Sequence, residues 1–211
     1  MKCKRIAAVS AAMFLLSGCG ASKVAHTSVV NSGKVHTSHK NTQGTNQNHA
    51  VVHPLFISKS QQRKFLEQIN RVRSEKRSCG KYGSMGPVAP LAWSDKLYEV
   101  AYVHSYDMAK SSHFSHEGSG SRYDRTAVGM GLGRGSRLKE RMHYSDYQWR
   151  AIGENIAAGQ PSSESAMQAW IRSDEHCKNL MSELFTEVGM ACHPSSDQYK
   201  TYWTQNFGSS L

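Results

Sequence analysis

No aspartate or glutamate precedes Glu67, and that asymmetry divides the chain before any motif is read. Nine of the 26 lysines and arginines lie ahead of Glu67, so residues 67–211 carry 17 basic against 16 acidic side chains, a net of +1. The formal charge of +10 therefore belongs to the front of the molecule. There it can lie against anionic lipid head groups or wall polymers. No basic run is interleaved with aromatics, so the sequence predicts no nucleic-acid partner.

The first residues read as a targeting signal. Lys2, Lys4 and Arg5 precede an apolar stretch, Ile6 to Leu16, that is too short to cross a bilayer. Leu16-Ser17-Gly18-Cys19 has the form of a lipobox, which predicts a signal peptide over 1–18 and acyl chains on Cys19. The expected location is extracytoplasmic and lipid-anchored to a membrane. Gly20 in place of an aspartate resembles outer-membrane sorting if the envelope is Gram-negative. Residues 20–54 hold no acid, few large apolar side chains and five of the eleven histidines: His26, His36, His39, His49 and His53. Such a segment cannot bury enough surface to offset its ordering entropy. Residues 19–54 are thus expected as a lipidated cysteine and disordered tether, ahead of one domain over 55–211.

Within that domain the apolar spacing predicts helices first and strands last. Ser60 can cap a helix carrying Phe65, Ile69 and Val72 at i, i+4 and i+7. Ser94 can cap a second, with Leu97, Ala101, His104 and Met108 on one stripe, where His104 reads as a hydrogen-bonded core residue. Ser162 can cap a third helix, and a short one follows from about 173 to 181. Residues 187–192 and 199–207 read as strands joined by the turn at Pro194-Ser195-Ser196-Asp197. About 150 residues can bury a proper core as a single domain. A Gly- and Arg-rich stretch, about 117–146, reads as a mobile insertion at the mouth of a cleft. Its alternating glycines lack the preceding strand and Gly-Lys-Ser ending of a phosphate loop.

Chemistry concentrates in three places. Phe114-Ser115-His116 lies upstream of Gly153-Glu154-Asn155-Ile156-Ala157-Ala158-Gly159, and Trp170, Ser173 and His176 lie downstream. Two imidazoles and a carboxylate, in turn- or helix-forming contexts, can hold a divalent cation or polarise a water once they converge. No Gly-x-Ser-x-Gly elbow supports Ser115 or Ser173 as a nucleophile, Cys177 sits beside His176 without facing it, and His-Glu-x-x-His is absent. Cys3 leaves with the signal and lipid claims Cys19, so Cys79, Cys177 and Cys192 remain. They allow one disulfide, three pairings and one thiol over.

These motifs, with Gln68-Ile69-Asn70-Arg71-Val72-Arg73, Leu91-Ala92-Trp93-Ser94-Asp95, Phe185-Thr186-Glu187-Val188-Gly189 and Tyr202-Trp203-Thr204-Gln205-Asn206-Phe207, occur in an order that resembles the CAP superfamily. That family is named for cysteine-rich secretory proteins, antigen 5 and pathogenesis-related 1 proteins, and the likeness is to its short bacterial secreted branch. The resemblance covers roughly residues 60–208. It implies an α+β fold, a single-domain three-layer α-β-α sandwich around a small antiparallel sheet. It also implies a solvent-open cavity lined by His116, Glu154 and His176, with Asn155 and Ser173 beside them. Zinc or another divalent cation would sit on His116 and His176. A second glutamate common in eukaryotic members is Ser173 here, which leaves Asp174 or Glu175 as substitutes. The resemblance further implies Cys79 paired with Cys177, leaving Cys192 as the spare. A fold of this kind does not fix an activity. The expected role is a binding module for an envelope or extracellular lipid, wall glycan or protein; a metal-dependent hydrolase using His116, His176 and Glu154 is the alternative.

Overall fold

A computed structural model describes residues 57–211 in full and the backbone of two short strands, β1 (Lys23–Ala25) and β2 (Val30–Asn31). The lipobox, Cys19 and the rest of the expected tether lie outside the described residues. After β2 come helix α1 (Lys59–Arg73), the small hairpin β3 (Arg77–Ser78) and β4 (Ser84–Met85), β5 (Ala92–Trp93), and α2 (Asp95–Ser111). Two short helices follow, α3 (Arg125–Met130) and α4 (Leu138–Tyr144), then β6 (Trp149–Ala158). The chain ends with α5 (Ser163–Ile171), α6 (Asp174–Leu180), β7 (Glu187–Pro194) and β8 (Thr201–Ser210).

The fold is α+β, as expected. One sheet runs in the order β1-β6-β8-β7-β5, with β2 also on the β6 edge. Its long pairs are antiparallel; β5 joins β7 in parallel. Two stretches of the expected tether thus carry strand structure, with Val24 opposite Ala157 and Val30 opposite Ile152. Strand alternation sorts the side chains into two layers. On one face Ala157, Val188, Met190, Trp203 and Phe207 pack with Phe65 of α1 and Trp170 of α5. On the other, α2 covers the sheet, with Leu97 and Val100 on Ile152, Ala101 on Ala191, and Met108 near Ile156 and Tyr202. Gly189 lets α2 come this close, because a β-carbon there would lie 2.0 Å from the Tyr98 amide nitrogen.

Local signals explain the helices, with one shift. Ser58, not Ser60, caps α1, its hydroxyl accepting from the Gln61 amide. Ser94 caps α2 through the Leu97 amide, and Ser162 caps α5 through Ser165. Arg73, buried at the end of α1, donates to the carbonyls of Ala89, Leu180 and Ser182, closing the C-terminal end of α6. A Cys79–Cys177 disulfide ties the turn after α1 to α6. Cys192 is half-buried on β7 and is not a spare thiol, since it too has a partner outside these described contacts.

Two expectations need correction. The Gly153-Glu154-Asn155 stretch is no turn: it is the middle of β6, buried on both faces. A strand covered on both sides loses its polar alternation, and glycine, glutamate and asparagine all have low strand propensity. The stretch 117–146 is not a loose loop either. Asp107 of α2 accepts from the Ser119 amide and hydroxyl. Buried Asp124 caps α3 through the Ala127 amide and accepts from the amide and hydroxyl of Ser136. Gly118 and Gly135 touch backbone to backbone, where a β-carbon on Gly135 would overlap the Gly118 carbonyl oxygen. Gly118 and Gly135 serve close packing, whereas Gly131 and Gly133 stand in open space with left-handed backbone.

Candidate functional site

Glu154 projects from β6 into the α2 layer, fully buried. Its carboxylate accepts from three directions. Nη2 of Arg141 on α4 lies 3.0 Å and 2.9 Å from its two oxygens. His116 Nδ1 lies 2.8 Å from Oε1, its side chain one quarter exposed. Asn206, its partner in register on β8, donates to Oε2 at 3.0 Å with the amide nitrogen turned toward it. Arg141 also donates to the carbonyls of His116 and Ser136. One guanidinium therefore joins the insertion, the His116 loop and β6.

Burial alone would raise the Glu154 carboxyl; the positive charge of Arg141 and the hydrogen bond from His116 more than offset it and hold the group well below the usual carboxylate range. His104 stands on α2 with Nε2 at 3.0 Å from the Ser115 carbonyl oxygen and 3.8 Å from Glu154. Burial, then the charge of Arg141, pushes it down to about 3 against the pull of Glu154. It is a neutral imidazole in a hydrogen-bonded core position, as the sequence suggests, and also a neighbour of the site.

The remaining expected residues sit in the other layer. Asn155 follows Glu154, so its side chain leaves β6 on the opposite face. It meets Gln205, Asn179 and the backbone carbonyl of His176. His176, buried on α6, has Nδ1 at 2.8 Å from the hydroxyl of Ser173, the residue capping that helix. The structure thus joins His116 to Glu154 and Ser173 to His176, and the two pairs reach β6 from opposite layers. Neither proposed substitute carboxylate turns to Glu154. Asp174 accepts from the Lys81 amide, while Glu175 accepts from the Tyr82 hydroxyl and pairs with Lys81.

Among the described residues, no group of three or more His, Cys, Asp or Glu side chains is placed to hold a metal. Glu154 is poorly suited as a direct ligand, because a guanidinium already shares both its oxygens. It does suit the outer role of fixing an imidazole by its Nδ1. Arg141 and Asn206 are the site residues that sequence reasoning missed. Asn206 stands in a quoted motif, whereas Arg141 is one of several arginines in the insertion, and its sequence carries no sign of burial.

The comparisons with known proteins agree with this architecture. Residues 66–207 match the model of the cysteine-rich secretory protein family. The chain is similar to YlbC of Bacillus subtilis (strain 168), described as an uncharacterized membrane protein, at 31% identity over 120 residues, which are 57% of this chain and 29% of that one. The crystal structure of an extracellular SCP-domain protein from Bacillus anthracis str. Ames is 25% identical with a TM-score of 0.54, covering 80% of this chain and 45% of that chain. An outer surface protein from Borrelia burgdorferi, 17% identical with a TM-score of 0.54, shares the fold over 74% of this chain and 97% of its own. The chain spans less than half the length of the Bacillus proteins it matches. With more than half of its sequence matched by one family model, and the layered sheet that the resemblance implies, the chain belongs to the cysteine-rich secretory protein (CAP) family.

Proposed function

We propose that this CAP domain is a binding module, held outside the cytoplasm by lipid on Cys19, that engages an envelope or extracellular ligand through the cleft at His116. The observation that carries this reading is the state of Glu154. Its charge is neutralised by Arg141 and its oxygens are occupied by Arg141, His116 and Asn206. A carboxylate so committed positions His116 and has little capacity left to shuttle protons. Extracellular and outer-surface proteins among the structural neighbours support the location. Among the described residues no helix is long and apolar enough to cross a membrane.

The test is co-sedimentation of the full chain with isolated wall sacculi and with lipid vesicles, for wild type and His116→Ala, with and without EDTA. Binding that weakens in the variant and persists under chelation supports the module. Release of soluble product that stops on chelation would replace it with the hydrolase reading. One observation favours that second reading: the Glu154–His116 pair has the form of a carboxylate holding a metal-bound imidazole. The expected second ligand, His176, reaches β6 from the opposite layer. A divalent cation in this cleft would rest on His116, with Glu154 fixing the imidazole, and would supply an activated water there.

A further inference from the structure

The pairing of β1 with β6 fixes where the anchored end of the chain meets the domain. Lys23 lies opposite Ala158 and Ala25 opposite Ile156, so the strands are antiparallel and β1 begins at the Ala158 end of the sheet. Only Gly20, Ala21 and Ser22 separate Lys23 from Cys19. Four residues reach about 14 Å at most, even fully extended. Without β1 and β2, the first fixed point would be the start of α1 at Lys59, about 40 positions after Cys19, and a flexible chain of that length spans about 35 Å on average. The edge pairing turns a long leash into a short clamp.

The same end of the sheet carries side chains suited to a head-group layer. Tyr202 of β8 lies opposite Ala158 and His193 of β7 lies opposite Tyr202, so the β7–β8 turn, 195–200, stands at this end too. Ser195 ties the turn to the last part of α2 by donating to the Ala109 carbonyl. Just past α2, the Phe114 ring lies 6.4 Å from that of Tyr199 and 6.2 Å from that of buried Tyr202. Phe114 and Tyr199 are half-buried, with exposed His113, Gln198 and Lys200 around them. Rings with one wet edge, flanked by lysines, are the side chains that membrane–water interfaces collect. The turn's one acid, Asp197, is committed to the Tyr202 hydroxyl and to the amides of Tyr199 and Lys200. Lys200 is thus presented without an ion-pair partner among the described residues, and exposed Lys110 in the last turn of α2 adds a second charge. Glu164, also near this end, belongs to α5 in the other layer and accepts from Gln68 of α1.

We propose that this end of the sheet is a bilayer-docking surface: the β1 clamp draws Phe114, Tyr199, Lys110 and Lys200 onto phospholipid head groups, so the domain lies on its membrane instead of ranging from it. The inference rests on the lipid anchor at Cys19 proposed above. That anchor selects the occupant, because acyl chains inserted in a bilayer hold the Ala158 end within about 14 Å of their first residue. The acyl chains supply attachment, and the rings and lysines then set orientation. The opposite end, where the Leu211 amide donates to the Gln148 carbonyl, faces away from the membrane.

The experiment is hydroxyl-radical footprinting, read by mass spectrometry, of the mature chain purified from membranes and reconstituted in vesicles of phosphatidylcholine and phosphatidylglycerol. The intact mass is taken first, to establish acylation of Cys19. The comparison is the triple variant Val24→Pro, Ala25→Pro, Val30→Pro, whose missing amides detach the segment from β6 and restore the long leash on the same vesicles. Phe114 and Tyr199 should be oxidised at least threefold less in wild type than in that variant. Tyr144 and Leu211, 46% and 71% exposed, should be oxidised equally in both. Lys110→Gln with Lys200→Gln should lose about half of the protection. An acylated wild type in which Tyr199 is oxidised as fast as in the triple variant overturns the docking surface and leaves the anchor standing. Protection that extends equally to Leu211 overturns it as well, since it reports no preferred face. A mature chain without acyl mass overturns the anchor itself, and the orientation with it.

Discussion

Nη2 of Arg141 lies 2.9 Å from Oε2 of Glu154, with each side chain only 1% exposed. The partners come from a short helix of the 117–146 stretch and from β6, so the contact fastens that stretch to the core of the sheet. A buried ion pair adds little over a well-packed apolar pair, but removal of one partner leaves an uncompensated charge.

Arg141→Met should therefore destabilise the domain by about 3–5 kcal/mol. Glu154→Gln added to that variant removes the stranded charge and should recover a large part of the loss, giving a strongly non-additive cycle. Urea unfolding of the four proteins measures it. Additive losses would mean that the pair does not act as a unit.

Acid should weaken the fold well before the carboxylates titrate. His104 is pushed down to about 3 and His193 to about 4, each by burial first, whereas both titrate near 6.5 in an unfolded chain. Below about pH 6.5 the unfolded state binds two protons that the native state does not, so stability falls as pH falls. Each histidine contributes a slope of about 1.4 kcal/mol per pH unit through the window between its two values. Glu154, whose carboxyl is depressed, contributes in full above its unfolded value and loses that contribution only at more acid pH. Asp107, raised by burial, works in the opposite sense at that acid end. Urea midpoints of wild type and His193→Phe from pH 7 to 4.5 test this, with the variant expected to lose about half the slope.

The same residues show what was legible in advance. Caps and stripes carry the helices because their signals are local: Ser94 lies three residues before the amide it bonds, and Leu97, Ala101, His104 and Met108 repeat at helical spacing. The Cys79–Cys177 pair and the set of layers came with family resemblance, since 98 residues separate the two cysteines. Arg141 was not legible. An arginine that is 2% exposed looks like any surface arginine until the strand holding Glu154 is placed beneath it. The separation of His116 from His176 was hidden for a related reason. It depends on which face of β6 Glu154 takes, and β6 itself read as a turn. Tyr106 and Arg125 are likewise brought together by the locked turn at Asp124, which no periodicity announces.

The disulfide should be a large contributor. Cross-linking Cys79 to Cys177 closes a loop of about a hundred residues, for which chain-entropy reasoning gives roughly 4–5 kcal/mol. Cys79→Ala with Cys177→Ala should lower the urea midpoint accordingly and leave the unfolding transition cooperative. A change below about 1 kcal/mol would show that Arg73, which holds the end of α6 by three carbonyls, suffices to dock that helix.

Gly189 gives the sharpest packing test. Its position on β7 faces α2, and a β-carbon there would lie 2.0 Å from the Tyr98 nitrogen and 2.3 Å from the Leu97 carbonyl carbon. Both are backbone atoms of a helix that is packed along β7 and β8, so the clash cannot be relieved by turning a side chain. Gly189→Ala must push α2 outward, opening the contacts of Ala101 with Ala191 and of His104 with the Ser115 carbonyl. Overpacking of this kind costs about 1–3 kcal/mol, and more where backbone must move. Hydrogen exchange should then accelerate along α2 while α5 and α6, across the sheet, keep their protection. Equal acceleration in both layers would mean that α2 is not displaced on its own and that the sheet gives way with it.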